Sequence, residues 1–208
     1  MTEKTAQKEP GKKPVPSKKP KPQQEVVVQI PLSELHPFPD HPFQVREDAS
    51  MQETAESVKE YGVLVPALAR PREDGGYELI AGHRRKHACE LAGLATMPVI
   101  VRDIDRDAAT IIMVDSNLQR ENILPSERAK AYKMKMEAIK RQGARTDLTS
   151  PKNSAKFRSD DEVGQDAGVS GDTIRNYIAL TQLVPELQQM VDEKKIALSP
   201  AYQIAALT

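Results

Sequence analysis

The chain has 208 residues, with 30 Lys and Arg against 30 Asp and Glu, a single cysteine, no tryptophan and 4% aromatic residues. One cysteine excludes an internal disulfide and suits a reducing compartment, and so few rings argue against a base-stacking platform for single-stranded nucleic acid. No apolar run approaches the roughly 20 residues that span a bilayer, and the N-terminus has no apolar signal segment, so a soluble cytoplasmic protein without a membrane partner is expected.

The balanced charge is unevenly spread. Residues 1–24 hold seven lysines and two glutamates among prolines and glutamines, which leaves the rest of the chain net acidic. A segment with almost no apolar residues cannot offset its ordering entropy, so residues 1–24 are expected to be a disordered Lys/Pro-rich tail.

Order is expected from the β-branched run Val26 to Ile30, read as a strand. A loop follows, with Pro31, Pro37, Pro39 and Pro42. Ser50-Met51-Gln52-Glu53 has capping-box spacing, Met51, Ala55 and Val58 mark one helical face, and Gly62 stands where that helix should stop. Two short strands, 66–70 and 77–80, flank Gly75-Gly76 as in a hairpin. A helix over 83–92, a strand over 98–102 and a helix carrying Ile104, Ala108, Ile111, Val114 and Leu118 complete an α+β domain over residues 25–122. Residues 123–208 read as a second, all-helical domain. Pro125 suits a helix's first turn, Ala129, Tyr132, Met136 and Ile139 form a stripe, and residues 142–158 are polar and aperiodic, a linker-like loop.

Within that second half, Val163, Ala167, Val169, Ile174 and Tyr177 place apolar residues on facing sides of two short helices. Gly164 permits a close crossing, Gly168 suits a left-handed turn and Ser170 an N-cap. This is helix-turn-helix spacing, which sets a recognition helix in the major groove; the plainer alternative is a helical hairpin that only fills a core. Ser170, Gly171, Asp172, Thr173, Arg175 and Asn176 are the expected DNA-facing residues. Arg175 is suited to guanine and Asn176 to adenine. Asp160, Asp161 and Asp166 weaken the electrostatic attraction to a duplex, so phosphate contacts are expected from Lys156 and Arg158.

The strand ending at Ile80 runs into Gly82-His83-Arg84-Arg85. A glycine before a helix lets backbone N–H groups approach an anion, and guanidiniums add forked donors for phosphate oxygens; a solvated basic helix face is the competing reading. His36, His41, His83 and His87 lack metal-ligand spacing, and Cys89 reads as a small core residue.

Four stretches together resemble the ParB partition family: Pro42-Phe43-Gln44-Val45-Arg46; Tyr61-Gly62-Val63-Leu64-Val65-Pro66; Gly82-His83-Arg84-Arg85-Lys86-His87-Ala88; and Ser116-Asn117-Leu118-Gln119-Arg120-Glu121-Asn122-Ile123-Leu124-Pro125. They stand in that family's order and precede its helix-turn-helix. The resemblance implies an N-terminal ParB/sulfiredoxin-like α+β domain and a CTP-dependent clamp that loads at a palindromic centromere-like site. It implies that Gln44 and Arg46 lie on the cytidine side. Gly62, Val63, Leu64 and Pro66, with Gly82, His83, Arg84 and Arg85, would surround the phosphates, and Asn117 would help hold Mg²⁺. Arg120 and Glu121 would complete the site, and with Asn117 their spacing predicts one helix face.

Two departures stand out. His83 replaces the family's Glu in its arginine box, and Ser116 replaces the Glu that opens the last box. A serine hydroxyl is a poorer metal ligand than a carboxylate, so nucleotide binding is expected to survive better than CTP hydrolysis. The resemblance further implies a homodimer on double-stranded DNA, nucleoid association, and a ParA-type ATPase as partner of the tail, although the tail lacks the family's arginine. No C-terminal dimerisation segment is legible before Thr208, so either the chain is truncated or it self-associates through the N-terminal domain. Two other readings remain: a nucleotide-independent transcriptional repressor, and an enzyme on the ParB/sulfiredoxin fold. The latter has only His83 where a sulfiredoxin needs a cysteine, and it leaves the helix-turn-helix unexplained.

Overall fold

The computed structural model describes residues 26–120, 122–146 and 159–207. Its N-terminal half is a five-stranded mixed sheet in the order β1-β5-β3-β4-β2, built from β1 (Val27–Pro31), β2 (Leu35–Pro37), β3 (Ala67–Pro71), β4 (Tyr77–Ala81) and β5 (Thr96–Val101). β3 and β4 form the expected antiparallel hairpin, with Gly75 and Gly76 both at positive φ. β5 runs antiparallel to β1 and parallel to β3, and β2 runs parallel to β4. The proline-rich stretch expected to be loop throughout thus supplies a three-residue edge strand. Pro37 is tolerated there because an edge strand can leave one side of its ladder unpaired.

Side chains alternate across the sheet. Ala67, Ala69 and Leu79 join Met51, Val58, Ala88 and Cys89 beneath helices α1 (Ala49–Tyr61) and α2 (His83–Leu91). Ile80 and Leu68 face the other way, against Met113 and Val114 of α3 (Arg106–Leu118) and Ala131 of α4 (Pro125–Thr146). Cys89 is a fully buried core residue.

Helix α1 starts earlier than its capping-box spacing predicts. Asp48 is the N-cap, its carboxylate accepting from the Met51 N–H at 2.9 Å. Ser50 instead accepts from Arg84. Gly62 ends the helix at φ 73°, as expected.

Helix α4 is shared by both halves. Ala131 packs toward α3, Ala129 joins Leu180, Leu183 and Val191, and Tyr132 joins Val163 and Ile174. It continues through Thr146, so the expected loop does not begin at residue 142. One reason is Arg141, which donates to Asp107 at 2.7 Å and sits one turn after Glu137, tying the last turns to α3. Residues 147–158 lie outside the described residues, as do the tail over residues 1–24, Glu121, Lys156 and Arg158.

The remaining helices are α5 (Ser159–Ala167), α6 (Gly171–Ala179), α7 (Pro185–Asp192) and α8 (Leu198–Ala205). No described helix is long and apolar enough to cross a membrane.

Candidate nucleotide cleft and DNA-reading helices

A cleft of about 670 Å³ opens between the 43–50 segment, the start of α2 and the segment joining α3 to α4. Arg46, Arg84 and Arg120 line it together with Gln44, and the acids on its wall are Asp48 and Glu127. Glu127 is occupied: it accepts from the Gln44 N–H at 3.0 Å and from the Leu124 N–H at 3.1 Å. It therefore caps α4 and pins the Gln44 loop at once. Arg84 is oriented by Ser50 Oγ at 3.1 Å. Burial, and then the nearby Arg84 charge, push the Arg120 guanidinium below its usual range. Asp48 stands 3.9 Å from Arg84, so three guanidiniums face two carboxylates, a positive excess that favours an incoming polyanion.

The adjacent Arg85 does something else. Consecutive helical residues point about 100° apart, and Arg85 donates through Nη1 to the carbonyls of Val65 and Pro66, each at 2.6 Å. It cements the 62–66 loop beside a separate depression of about 370 Å³ lined by Gly62, Val63 and Leu64. Of the residues expected around one phosphate chain, Arg84 lines the cleft, Gly62, Val63, Leu64 and Arg85 line this second hollow, and His83 lines a third, of about 330 Å³, beside Val45 and His87. Gly82 is fixed by space as well as by φ 111°: a Cβ there would stand 2.8 Å from Ala67 Cβ.

His83 is mostly buried rather than facing the cleft. Its ring packs on His41 at 3.9 Å between centroids. Burial, then His41 and Arg120, drive its pKa down to about 3, so it is neutral at physiological pH. His41 is lowered too, chiefly by burial, while its Nδ1 stands 2.7 Å from the Phe43 carbonyl.

Asn117 is buried on α3, its amide donating to the Met113 carbonyl at 2.8 Å. Among the described residues, its Oδ1 and the Nε2 atoms of His41 and His83 are buried polar atoms with no hydrogen-bond partner. The helix ends at Leu118, so Arg120 does not share Asn117's helical face as its spacing predicted. The chain leaves the helix there to cross to Pro125, and this crossing carries Arg120 onto the cleft wall. No described group of three His, Cys, Asp or Glu side chains could hold a metal ion. An Asn117-bound Mg²⁺ therefore fits only where phosphate and water oxygens supply most of its shell.

Helices α5 and α6 have the expected helix-turn-helix geometry. Gly168 turns at φ 69°, and Ser170 caps α6 by accepting from the Thr173 N–H at 3.2 Å. A Cβ on Gly164 would meet the Val169 carbonyl at 2.6 Å, so glycine is required at the crossing. Asp172, Arg175 and Asn176 are exposed and Thr173 half-exposed, whereas Gly171 is buried against Asp161. Arg175 does not extend freely to solvent: its guanidinium pairs with Asp160 of α5 and Asp172 of its own helix.

A family model described as the ParB N-terminal domain matches residues 16–118. The chromosome-partitioning protein Spo0J of Thermus thermophilus is 35% identical over 182 residues, covering 87% of this chain and 60% of that protein. The chain belongs to the ParB family. A probable chromosome 1-partitioning ParB of Deinococcus radiodurans is 38% identical over 161 residues, covering 77% of this chain and 49% of its own. The chain thus spans about half the length of the curated relatives it matches. Among solved structures, a C-terminally truncated Caulobacter crescentus ParB complexed to the centromeric parS site matches with TM-score 0.55 at 28% identity, over 86% of this chain and 84% of that one. A pNOB8-like ParB N-domain shares the fold, with TM-score 0.58 at 19% identity.

Sequence reading missed several residues at the ParB cleft, namely Asp48, Ser50 and Glu127. The run Leu124-Pro125-Ser126-Glu127 carries a legible helix-start signal, a proline with an acid in the first turn. Nothing local says that the same carboxylate also holds Gln44, 83 residues away.

Proposed function

We propose that this ParB-family chain is a sequence-specific DNA-binding partition protein whose cleft takes CTP, and that nucleotide binding closes two copies around a duplex. The observation that carries the reading is the convergence of Arg46, Arg84 and Arg120 on one cleft, joined through α4 to a helix-turn-helix in the same chain. The truncated Caulobacter relative complexed to parS supports the DNA-binding half.

In this reading Arg84 and Arg120 hold phosphate oxygens, and Gln44 and Arg46 take the nucleoside side. The Gly62–Pro66 loop that Arg85 braces forms the neighbouring wall, with Gly82 leaving space at the start of α2. Asn117 Oδ1 offers Mg²⁺ one ligand, and Glu121 belongs to the same box. His83 contributes packing rather than charge. With a serine at position 116, whose hydroxyl donates to Met113, hydrolysis is slow relative to binding. The DNA face comprises Ser170, Asp172, Thr173, Arg175 and Asn176, with Gly171 permitting the helix start, and Lys156 and Arg158 reach phosphates. The protein acts as a homodimer at a palindromic site, in the cytoplasm on the nucleoid, and its tail engages a ParA-type ATPase. Residues 25–122 and 123–208 are its nucleotide and DNA-binding domains.

Calorimetry with CTP, ATP, GTP and UTP, with and without duplex from the source replicon, tests this. CTP alone binds, and Arg84→Ala or Arg120→Ala weakens it by roughly 10-fold or more, the loss of one charge-assisted contact of about 1.5–3 kcal/mol. Equal binding of all four nucleotides would refute the cytidine assignment. Specific DNA residence unchanged by CTP would favour the nucleotide-independent repressor.

A further inference from the structure

Arg175 is the one basic residue of α6, and α5 and α6 together carry five acids, Asp160, Asp161, Glu162, Asp166 and Asp172. This is an unusual balance for a surface that approaches a polyanion. The reading helix sits behind a negative fringe, and its one cation is already taken. Nη1 of Arg175 bonds to Asp160 and Nη2 to Asp172. Asp160 is buried, with its side chain 8% exposed, whereas Asp172 is 79% and Arg175 42% exposed. The two carboxylates therefore differ in kind. One is a fixed anchor inside the fold, and the other is a solvent-facing acceptor that a competing acceptor can displace.

A guanidinium is planar and presents its donors in a rigid fork. Held from behind by Asp160, Arg175 has one orientation. Opposed by two negative charges, it has little net attraction for a phosphate wherever the duplex happens to lie.

We infer that Asp160 and Asp172 are specificity-setting residues that make Arg175 a base reader rather than a phosphate contact. The inference rests on the DNA-binding reading above and concerns how that surface discriminates. At a correctly placed guanine, O6 and N7 replace the Asp172 oxygen on the outer edge of the fork, while Asp160 keeps hold of the other nitrogen. Asp172, released, is itself an acceptor suited to a cytosine amino group. Adenine offers only N7 and thymine only O4, and cytosine offers no acceptor, so at a wrong base no acceptor pair replaces the carboxylate. Arg175 stays paired, and the fringe repels the backbone. Asp160 is thus a positioning residue, and Asp172 a built-in competitor that only a cognate edge outbids.

The test uses the full chain and two duplexes, one selected by the wild-type protein from a randomised pool and the same duplex scrambled, titrated by fluorescence anisotropy across a salt series. Arg175→Ala weakens binding to the selected duplex by about 10–100-fold, the span of one bidentate base contact, and leaves the scrambled duplex within about twofold. Asp172→Asn removes the outer competitor. It tightens binding to the scrambled duplex and steepens the salt slope by about one phosphate contact, close to 0.9 in log–log units, so the ratio between duplexes falls. Asp172→Glu, which keeps the charge, retains the wild-type ratio, and circular dichroism establishes that each variant is folded. Equal losses on both duplexes for Arg175→Ala, or an unchanged scrambled affinity and salt slope for Asp172→Asn, would overturn the inference while leaving specific DNA binding intact. Failure of the wild type to select any sequence would overturn the DNA-binding reading, and this inference with it.

Discussion

Among the described residues, Lys135 is the largest fully buried side chain, and it carries a charge. Its ammonium lies 2.6 Å from Asp115 of α3 and 2.8 Å from Asp166 of α5, so one α4 side chain ties three helices together. Exposure is asymmetric: the lysine side chain is 1% exposed, the two carboxylates 45% and 55%. Removing the lysine as Lys135→Met keeps most of the buried volume and leaves two acids that water can reach. Because those acids are half-exposed and water takes over their charge, stability should change by no more than about 1 kcal/mol, as for a solvent-exposed ion pair. Removing both acids, Asp115→Ala with Asp166→Ala, strands an ammonium inside the fold and should cost about 3–5 kcal/mol.

Urea denaturation followed by circular dichroism reads both values, and pH supplies a second check. In the native protein the two carboxylates raise the Lys135 pKa above 10.5 despite burial. That contribution is fully present below 10.5 and is lost as pH rises through the folded value. In the double-alanine variant only burial remains, and it lowers the pKa. The unfolded state then binds more protons, and the variant regains stability as pH rises toward 10.5. A Lys135→Met variant as damaged as the double-alanine variant would refute the asymmetry argument.

Two further outcomes are expected. His83 has its pKa lowered from 6.5 to about 3, chiefly by burial and then by His41 and Arg120; the unfolded chain takes up a proton that the folded chain refuses, so stability falls as pH drops from about 6.5 toward 3, and His83→Gln should flatten that slope in thermal melts, a slope identical to wild type counting against the burial argument. Gly164→Ala forces a Cβ to within 2.6 Å of a backbone carbonyl at the α5–α6 crossing; a loss of about 1–3 kcal/mol is expected from overpacking, and an unchanged melting temperature would mean the crossing is looser than described.

Local chemistry made much of this fold readable. The Gly75-Gly76 hairpin, the Gly62 stop, the Ser170 cap and the Gly164–Gly168 turn each depend on residues a few positions apart, where backbone preference decides. Contacts between distant segments were not readable in that way. Asp48 rather than Ser50 caps α1, and Arg84 from another helix reaches both side chains. Glu127 reaches Gln44, and Asp160 captures Arg175, through folds that no neighbouring residue announces. Arg84 and Arg85 looked equivalent in the sequence, yet the 100° step between neighbouring helical residues sends the first to the cleft and the second to the Val65 and Pro66 carbonyls. Helix α7 opens on Pro185 and Glu186, the same start signal as Pro125 and Glu127, whereas the packing of α7 and α8 against Ala129 of α4 and against Leu180 and Leu183 depends on residues far apart in the chain.

The sharing of α4 among several cores bears on how such proteins are recombined. A chimaera joined between Asn122 and Pro125 would part Ala131 from Met113 and Val114, while Ala129 and Tyr132 would keep their own partners from the C-terminal half. A seam placed beyond that rod keeps α3 and α4 as one inherited pair, and then the grafted reading head has to bring matching partners for Ala129 and Tyr132.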